Sequence, residues 1–124
     1  MKLLVVEDET KILELLKGHF ERPGYEVKGT ETGEEALALL KSFQPDVMLL
    51  DLWLKGSTPG MGVLKEASRV APKTKVVIVT GFDESLAPEA FQLGAVAFLK
   101  KPVQLEELQE LLARIQQPSE ELSP

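Results

Sequence analysis

Short apolar runs alternate with longer amphipathic stretches along this chain. LLVV (3–6), YEVKG (25–29), DVMLLD (46–51), KVVIVT (75–80) and VAFL (96–99) are rich in Val, Leu and Ile, the composition of strands. The third and fourth runs are almost continuously apolar, which predicts strands covered on both faces. Between the runs, apolar residues recur at spacings of three and four. The sets are Ile12, Leu15, Leu16 and Phe20; Ala36, Leu37, Leu40 and Phe43; Val63, Ala67 and Val70; Leu86, Ala90 and Leu93; and Leu105, Leu108, Leu111, Leu112 and Ile115. Each set is one face of an amphipathic helix.

Prolines punctuate the same parsing. RPG (22–24), QPD (44–46) and APK (71–73) each place a proline just before a strand, where it stops the preceding helix. Thr32 and Glu35 predict a capping box at the start of the second helix. Pro88 is tolerated only in a first turn, so the fourth helix is expected to be short and to begin near 85–87. Five β-α units predict an α/β fold: a single (βα)5 doubly wound sandwich, with a five-stranded parallel sheet, right-handed crossovers and helices on both faces. Residues 1–117 form the expected domain; 118–124 read as a polar tail or the start of a linker.

Composition narrows the function. The chain has 124 residues, 44% of them hydrophobic, enough for one domain with a real core. It contains no cysteine, which excludes disulfides, thiolate chemistry and Cys-ligated zinc and fits a reducing, cytoplasmic setting. The N-terminal MKLLVVEDE reaches acids after four apolar residues, far short of a signal peptide or membrane span. A net charge of −6 and the lack of a Lys/Arg stripe argue against direct nucleic-acid binding.

The architecture says where to look for chemistry. In an open parallel sheet, ligands bind at the carboxyl ends of the strands. Glu7, Asp8 and Glu9 follow the first strand, Asp51 ends the third, Thr80 ends the fourth, and Lys100, Lys101 and Pro102 follow the fifth. Taken singly, each has a plain reading as a cap, a turn residue or a solvated charge. Converging, they are a set of carboxylates that stay ionised together only beside a cation. All-oxygen donors suit Mg²⁺, with Mn²⁺ able to substitute. Such an ion beside Asp51, with a lysine and a hydroxyl nearby, is equipment for phosphoryl transfer.

LLVVEDE, VMLLDLWL, VVIVTGF and GAVAFLKKPV resemble, in order and spacing, the four signatures of the response-regulator receiver domain of two-component signalling. The resemblance implies a strand order of 2-1-3-4-5. It implies that Asp51 is the phosphoacceptor, attacking a phosphohistidine or a small phosphodonor. Asp8 matches a direct Mg²⁺ ligand, Glu7 a neighbour acting through water, and the backbone carbonyl of Trp53 a further ligand. Thr80 and Phe98 match the switch pair. Lys101 matches the lysine that pairs with Asp51 and then with phosphate, with a cis Lys101–Pro102 bond. Trp53 and Phe82 match the positions bordering the path of hydrolytic water; both are large and apolar, which predicts a long-lived phosphoryl group. The implied partners are a histidine kinase or histidine phosphotransfer protein, and a downstream protein or an effector domain missing from this chain. Output is expected through the face of the fourth helix, fifth strand and fifth helix, bearing Lys100, Glu106, Glu107 and Glu110, which is also the implied homodimer surface. The chain is expected to modify and slowly de-modify itself and otherwise not to be an enzyme.

The loop after the acceptor departs from the pattern. Lys55 stands where the family commonly has proline, and Gly60 falls nine residues after Asp51 rather than eight, suggesting a one-residue insertion. Two other classes remain open. A non-phosphorylated pseudo-receiver, acting only as an interaction module, is opposed by the intact Glu7, Asp8, Asp51, Thr80 and Lys101. An aspartate-nucleophile phosphatase is opposed by Leu52 and Trp53, which stand where such enzymes carry DxD. His19, in the first helix, is read as structural.

Overall fold

The computed structural model describes residues 1–21, 25–54, 56–81 and 84–116. Its elements are β1 (Lys2–Val6), α1 (Thr10–Phe20), β2 (Glu26–Thr30), α2 (Gly33–Phe43), β3 (Val47–Leu50), α3 (Gly60–Val70), β4 (Lys75–Thr80), α4 (Ala87–Gln92), β5 (Ala95–Lys100) and α5 (Leu105–Gln116). A 3₁₀ turn, Glu84–Leu86, leads into α4. The five strands pair in parallel, in the order β2-β1-β3-β4-β5. The predicted RPG segment, Lys55, Phe82 and the tail 118–124 lie outside the described residues.

Alternation along the strands builds two apolar layers. Leu4, Val6, Met48, Leu50, Val76 and Ile78 face Ala36 and Leu40 of α2, Val63, Leu64 and Ala67 of α3, and Ala90 of α4. Their neighbours Leu3, Val5, Val47, Leu49, Val77 and Val79 face Leu13 and Phe20 of α1 and Leu108 and Leu112 of α5. The middle strands are therefore covered on both sides, as their unbroken apolar runs predict. Leu50 has no exposed surface, so Leu50→Ala costs on the order of 3 kcal/mol in lost burial and cavity.

Local chemistry sets the boundaries. Thr32 is the N-cap of α2, its hydroxyl accepting from the Glu35 amide at 3.2 Å. The reciprocal half of the predicted capping box differs, because the Thr32 amide donates to Thr30 Oγ1 at 3.3 Å. Gln44 ends α2 with φ 53, and Pro45 forbids continuation. Pro88 sits in the first turn of α4, which is six residues long. In α1 the buried positions are Leu13 and Phe20, whereas Leu15 is 58% exposed. The predicted face is thus met in part: Phe20 is buried and Leu16 packs against the core, Leu13 joins them, and Ile12 and Leu15, with Val103 and Leu105, line an apolar groove of about 360 Å³ between α1 and the start of α5. His19 Nε2 lies 3.1 Å from Gln109 Oε1, and its ring is edge-on to Phe20.

Candidate functional site

Four neighbouring strands deliver the site to one edge. Glu7 follows β1, Asp51 follows β3, Thr80 ends β4 and Lys101 follows β5, and parallel pairing puts all four at the same end of the sheet. Backbone bonds extend the pairing past the strand ends: the Asp51 amide donates to the Val6 carbonyl at 3.0 Å, and the Lys101 amide to the Thr80 carbonyl at 2.9 Å. These bonds set where each side chain starts.

Asp51 and Glu7 are 6% and 3% exposed, unusual burial for carboxylates. Both are held at both oxygens. Trp53 N–H donates to Asp51 Oδ1 at 3.0 Å, and Lys101 Nζ donates to Asp51 Oδ2 at 2.9 Å. The same ammonium reaches Glu7 Oε1 at 2.5 Å, while the Glu9 amide donates to Glu7 Oε2 at 3.1 Å. Burial pushes the Glu7 carboxyl above its ordinary pKa, against the opposing pull of Lys101 and the Glu9 amide. For Lys101 burial acts downward, but the hydrogen bonds and charges of Glu7 and Asp51 outweigh it and raise the ammonium. Lys101 therefore stays charged. Its peptide bond to Pro102 is cis.

Asp8 completes an acidic group. One carboxylate oxygen each from Glu7, Asp8 and Asp51 lies within 4.8 Å of the others. Lys101 offers a single positive charge to three acids, so the set carries an excess of negative charge and hard oxygen donors. That donor set fits a divalent ion such as Mg²⁺.

Thr80 differs from its neighbours in the site. Its side chain is fully buried, and its Oγ1 has no hydrogen-bond partner. Leaving a buried hydroxyl unsatisfied costs about 1–3 kcal/mol, so this atom is poised for an acceptor. Phe98 is half-buried in β5, paired in register with Ile78 and packed against the layer that holds Leu50. Trp53 enters the site through its backbone, and the residue is 52% exposed.

The unusual loop closes tightly on the backbone of Asp51 and Leu52. The Gly60 amide donates to the Leu52 carbonyl at 3.1 Å. A Cβ at Gly60 would lie 2.4 Å from Leu52 Cα and 2.5 Å from the Asp51 carbonyl oxygen. Glycine is therefore demanded at the first residue of α3.

Sequence reasoning paired Lys101 with Asp51 but missed its contact with Glu7. The signal was present: clustered acids need a cation, and the lysine supplies part of it.

The profile of the response regulator receiver domain matches residues 3–113. The chain is 38% identical, over 127 residues, to the positive alginate biosynthesis regulatory protein of Pseudomonas aeruginosa, covering 96% of this chain and 48% of that protein. It is 29% identical over 114 residues to sporulation initiation phosphotransferase F of Bacillus subtilis, covering 91% of each. The crystal structure of the signal receiver domain of a putative LuxO repressor protein from Vibrio parahaemolyticus matches with a TM-score of 0.84 at 30% identity, covering 92% of this chain and 88% of that one. The chain spans about half the length of the alginate regulator.

Proposed function

Because the chain belongs to the response regulator receiver domain family, we propose that Asp51 accepts a phosphoryl group and that the fold relays this event through Thr80 and Phe98 to the surface of α4, β5 and α5. The donor is the phosphohistidine of a histidine kinase or histidine phosphotransfer protein. An Asp51 oxygen forms the new O–P bond as the P–N bond breaks, and the departing imidazole keeps the electron pair.

The observation that carries this reading is the Lys101 ammonium shared between the buried carboxylates of Asp51 and Glu7. It fixes the acceptor and presents a cation to an incoming phosphoryl oxygen. Glu7, Asp8, Asp51 and the Trp53 carbonyl are the residues that would hold Mg²⁺, or Mn²⁺ in its place. That ion, when bound, supplies further positive charge against the oxygens of the transferring group. Thr80 then gains an acceptor for its orphaned hydroxyl, and its movement changes the space open to Phe98. Such a switch needs two packings only a few kcal/mol apart, so that one new set of contacts shifts the population.

Trp53 and Phe82 are assigned to limiting water access to the acyl phosphate, which makes the modification long-lived. The chain catalyses its own modification and slow de-modification only. Residues 1–117 are the switch unit, acting in the cytoplasm on a downstream protein or an effector domain, without contacting nucleic acid itself, and able to pair with a second copy through α4, β5 and α5. Among the described residues, no helix is long and apolar enough to cross a membrane.

Incubation with acetyl phosphate or phosphoramidate and Mg²⁺ tests the reading. The expected result is an acid-stable, base-labile mass gain of one phosphoryl group that Asp51→Asn abolishes. Equal labelling of that variant would refute the assignment.

A further inference from the structure

The loop between β3 and α3 carries the acceptor at one end and is tied at the other to a residue with no role in the reading above. Glu34, in the first turn of α2, accepts a hydrogen bond at Oε1 from the Thr58 amide at 2.8 Å, across 24 positions of sequence. A Cβ at Gly56 would lie 2.7 Å from Glu34 Oε2, and Gly56 has φ +94. The carboxylate therefore fills the space over a residue in a left-handed conformation. One side chain thus bonds the loop at Thr58 and lies over it at Gly56. Pro59, the N-cap of α3, makes no side-chain cap bond, so the helix start contributes no such tie of its own. The clasp lies close to the chemistry, because Gly60, two residues beyond Thr58, packs on the backbone of Leu52 and Asp51.

We infer that Glu34 is a positioning residue for the phosphoacceptor: its carboxylate pins residues 56–58 to α2 and so keeps Gly60 seated on the backbone of Asp51 and Leu52. The inference rests on the proposed role of Asp51. A carboxylate in the first turn of α2 is favoured by the helix dipole. The Thr58 hydroxyl and amide draw its pKa below the ordinary value, so it is ionised at neutral pH and a strong acceptor. An exposed contact of this kind adds little to global stability. Its effect is local: the segment whose Trp53 amide grips Asp51 Oδ1 is kept from sampling other shapes.

The test compares the intact chain with Glu34→Ala, Glu34→Gln and Glu35→Ala. Glu35 is the neighbouring acid in the same turn, so its loss removes equal charge from the helix start while sparing the clasp. Hydrogen exchange without added metal reads the loop directly, and labelling by acetyl phosphate in Mg²⁺ reads the acceptor. Glu34→Ala should speed exchange of amides 53–58 about fivefold, the shift matching one ordinary hydrogen bond. It should lower the maximal labelling rate by a similar factor, leave the half-saturating acetyl phosphate concentration unchanged, and spare the unfolding midpoint. Glu34→Gln, which keeps an acceptor oxygen, should recover much of both losses, and Glu35→Ala should show neither. Unchanged loop exchange in Glu34→Ala, equal effects from Glu35→Ala, or faster exchange without slower labelling would each overturn the inference. Failure of the unsubstituted chain to be labelled would instead remove the role of Asp51, and with it the inference.

Discussion

The two halves of the strand-end edge are built in opposite ways. Beneath β1 and β3, both oxygens of Glu7 and of Asp51 are engaged by Lys101 or a backbone amide. Beneath β4 and β5, the Thr80 hydroxyl is buried without a partner and Phe98 is only partly covered. One half is satisfied and held; the other stores an unmet contact and a partly covered ring. Under the proposed function, positioning a nucleophile and signalling its modification call for both, because rigidity serves the chemistry and an under-satisfied element can be shifted by one new contact.

Removing the lysine should break the contrast most completely. Lys101→Ala leaves Glu7 and Asp51 buried without their shared cation, a change that costs on the order of 3 kcal/mol in such pairs. The variant should still bind Mg²⁺, since all the oxygen donors remain, yet phosphorylation should no longer alter the environment of Phe98. Tryptophan fluorescence on Mg²⁺ titration and urea denaturation check the two parts. Mg²⁺ binding lost together with the acceptor chemistry would assign Lys101 a different role.

Water access comes next in size. Trp53→Asn combined with Phe82→His should shorten the life of the phosphoryl group on the order of tenfold, as polar groups orient the attacking water. Intact-mass spectra taken over time, with no added phosphatase, measure it. An unaltered decay would clear both side chains of the role.

On the looser half, Thr80→Val should stabilise the resting protein by about 1–2 kcal/mol, since it removes a buried hydroxyl with no partner. The same change should abolish the response to phosphorylation. A destabilised variant in urea would mean that the hydroxyl is satisfied after all.

These contrasts were only partly legible in the sequence. The strand ends were readable because continuous apolar runs such as VMLL and VVIV stop at single polar residues. The second strand was harder, since EVKGT buries only Thr30 and is marked mainly by its flanking turns. In α1 the pattern places Leu16 and Phe20 on the core but not Leu13, because Ile12, Leu13, Leu15 and Leu16 offer overlapping stripes and packing chooses among them. The bond from Lys101 to Glu7 spans 94 positions, and that from Glu34 to Thr58 spans 24. Both depend on how finished elements pack, which no local pattern encodes. Glu35 advertised a cap that Thr30 shares, while Glu34, with no motif around it, took the structural tie.

The smallest expected effect is a pH dependence at that tie. The Thr58 hydroxyl and amide depress the Glu34 pKa below 4.5, so the contribution of the contact is complete above that value and disappears as pH falls through the lower folded pKa. Exchange at amides 56–58 should rise in that acid window relative to the rest of the chain, and Glu34→Gln should erase the difference. A profile identical in both proteins would place the titration elsewhere.

The central claim is that phosphoryl transfer to the held half reorganises the loose half. Side-chain NMR of Thr80 and Phe98, recorded before and after phosphoramidate treatment in Mg²⁺, tests it most directly. The account predicts that both residues shift when Asp51 is modified, that Leu3 and Val5 on the opposite face stay in place, and that Asp51→Asn shows no change. A protein fully phosphorylated on Asp51 whose Thr80 and Phe98 signals do not move would contradict it.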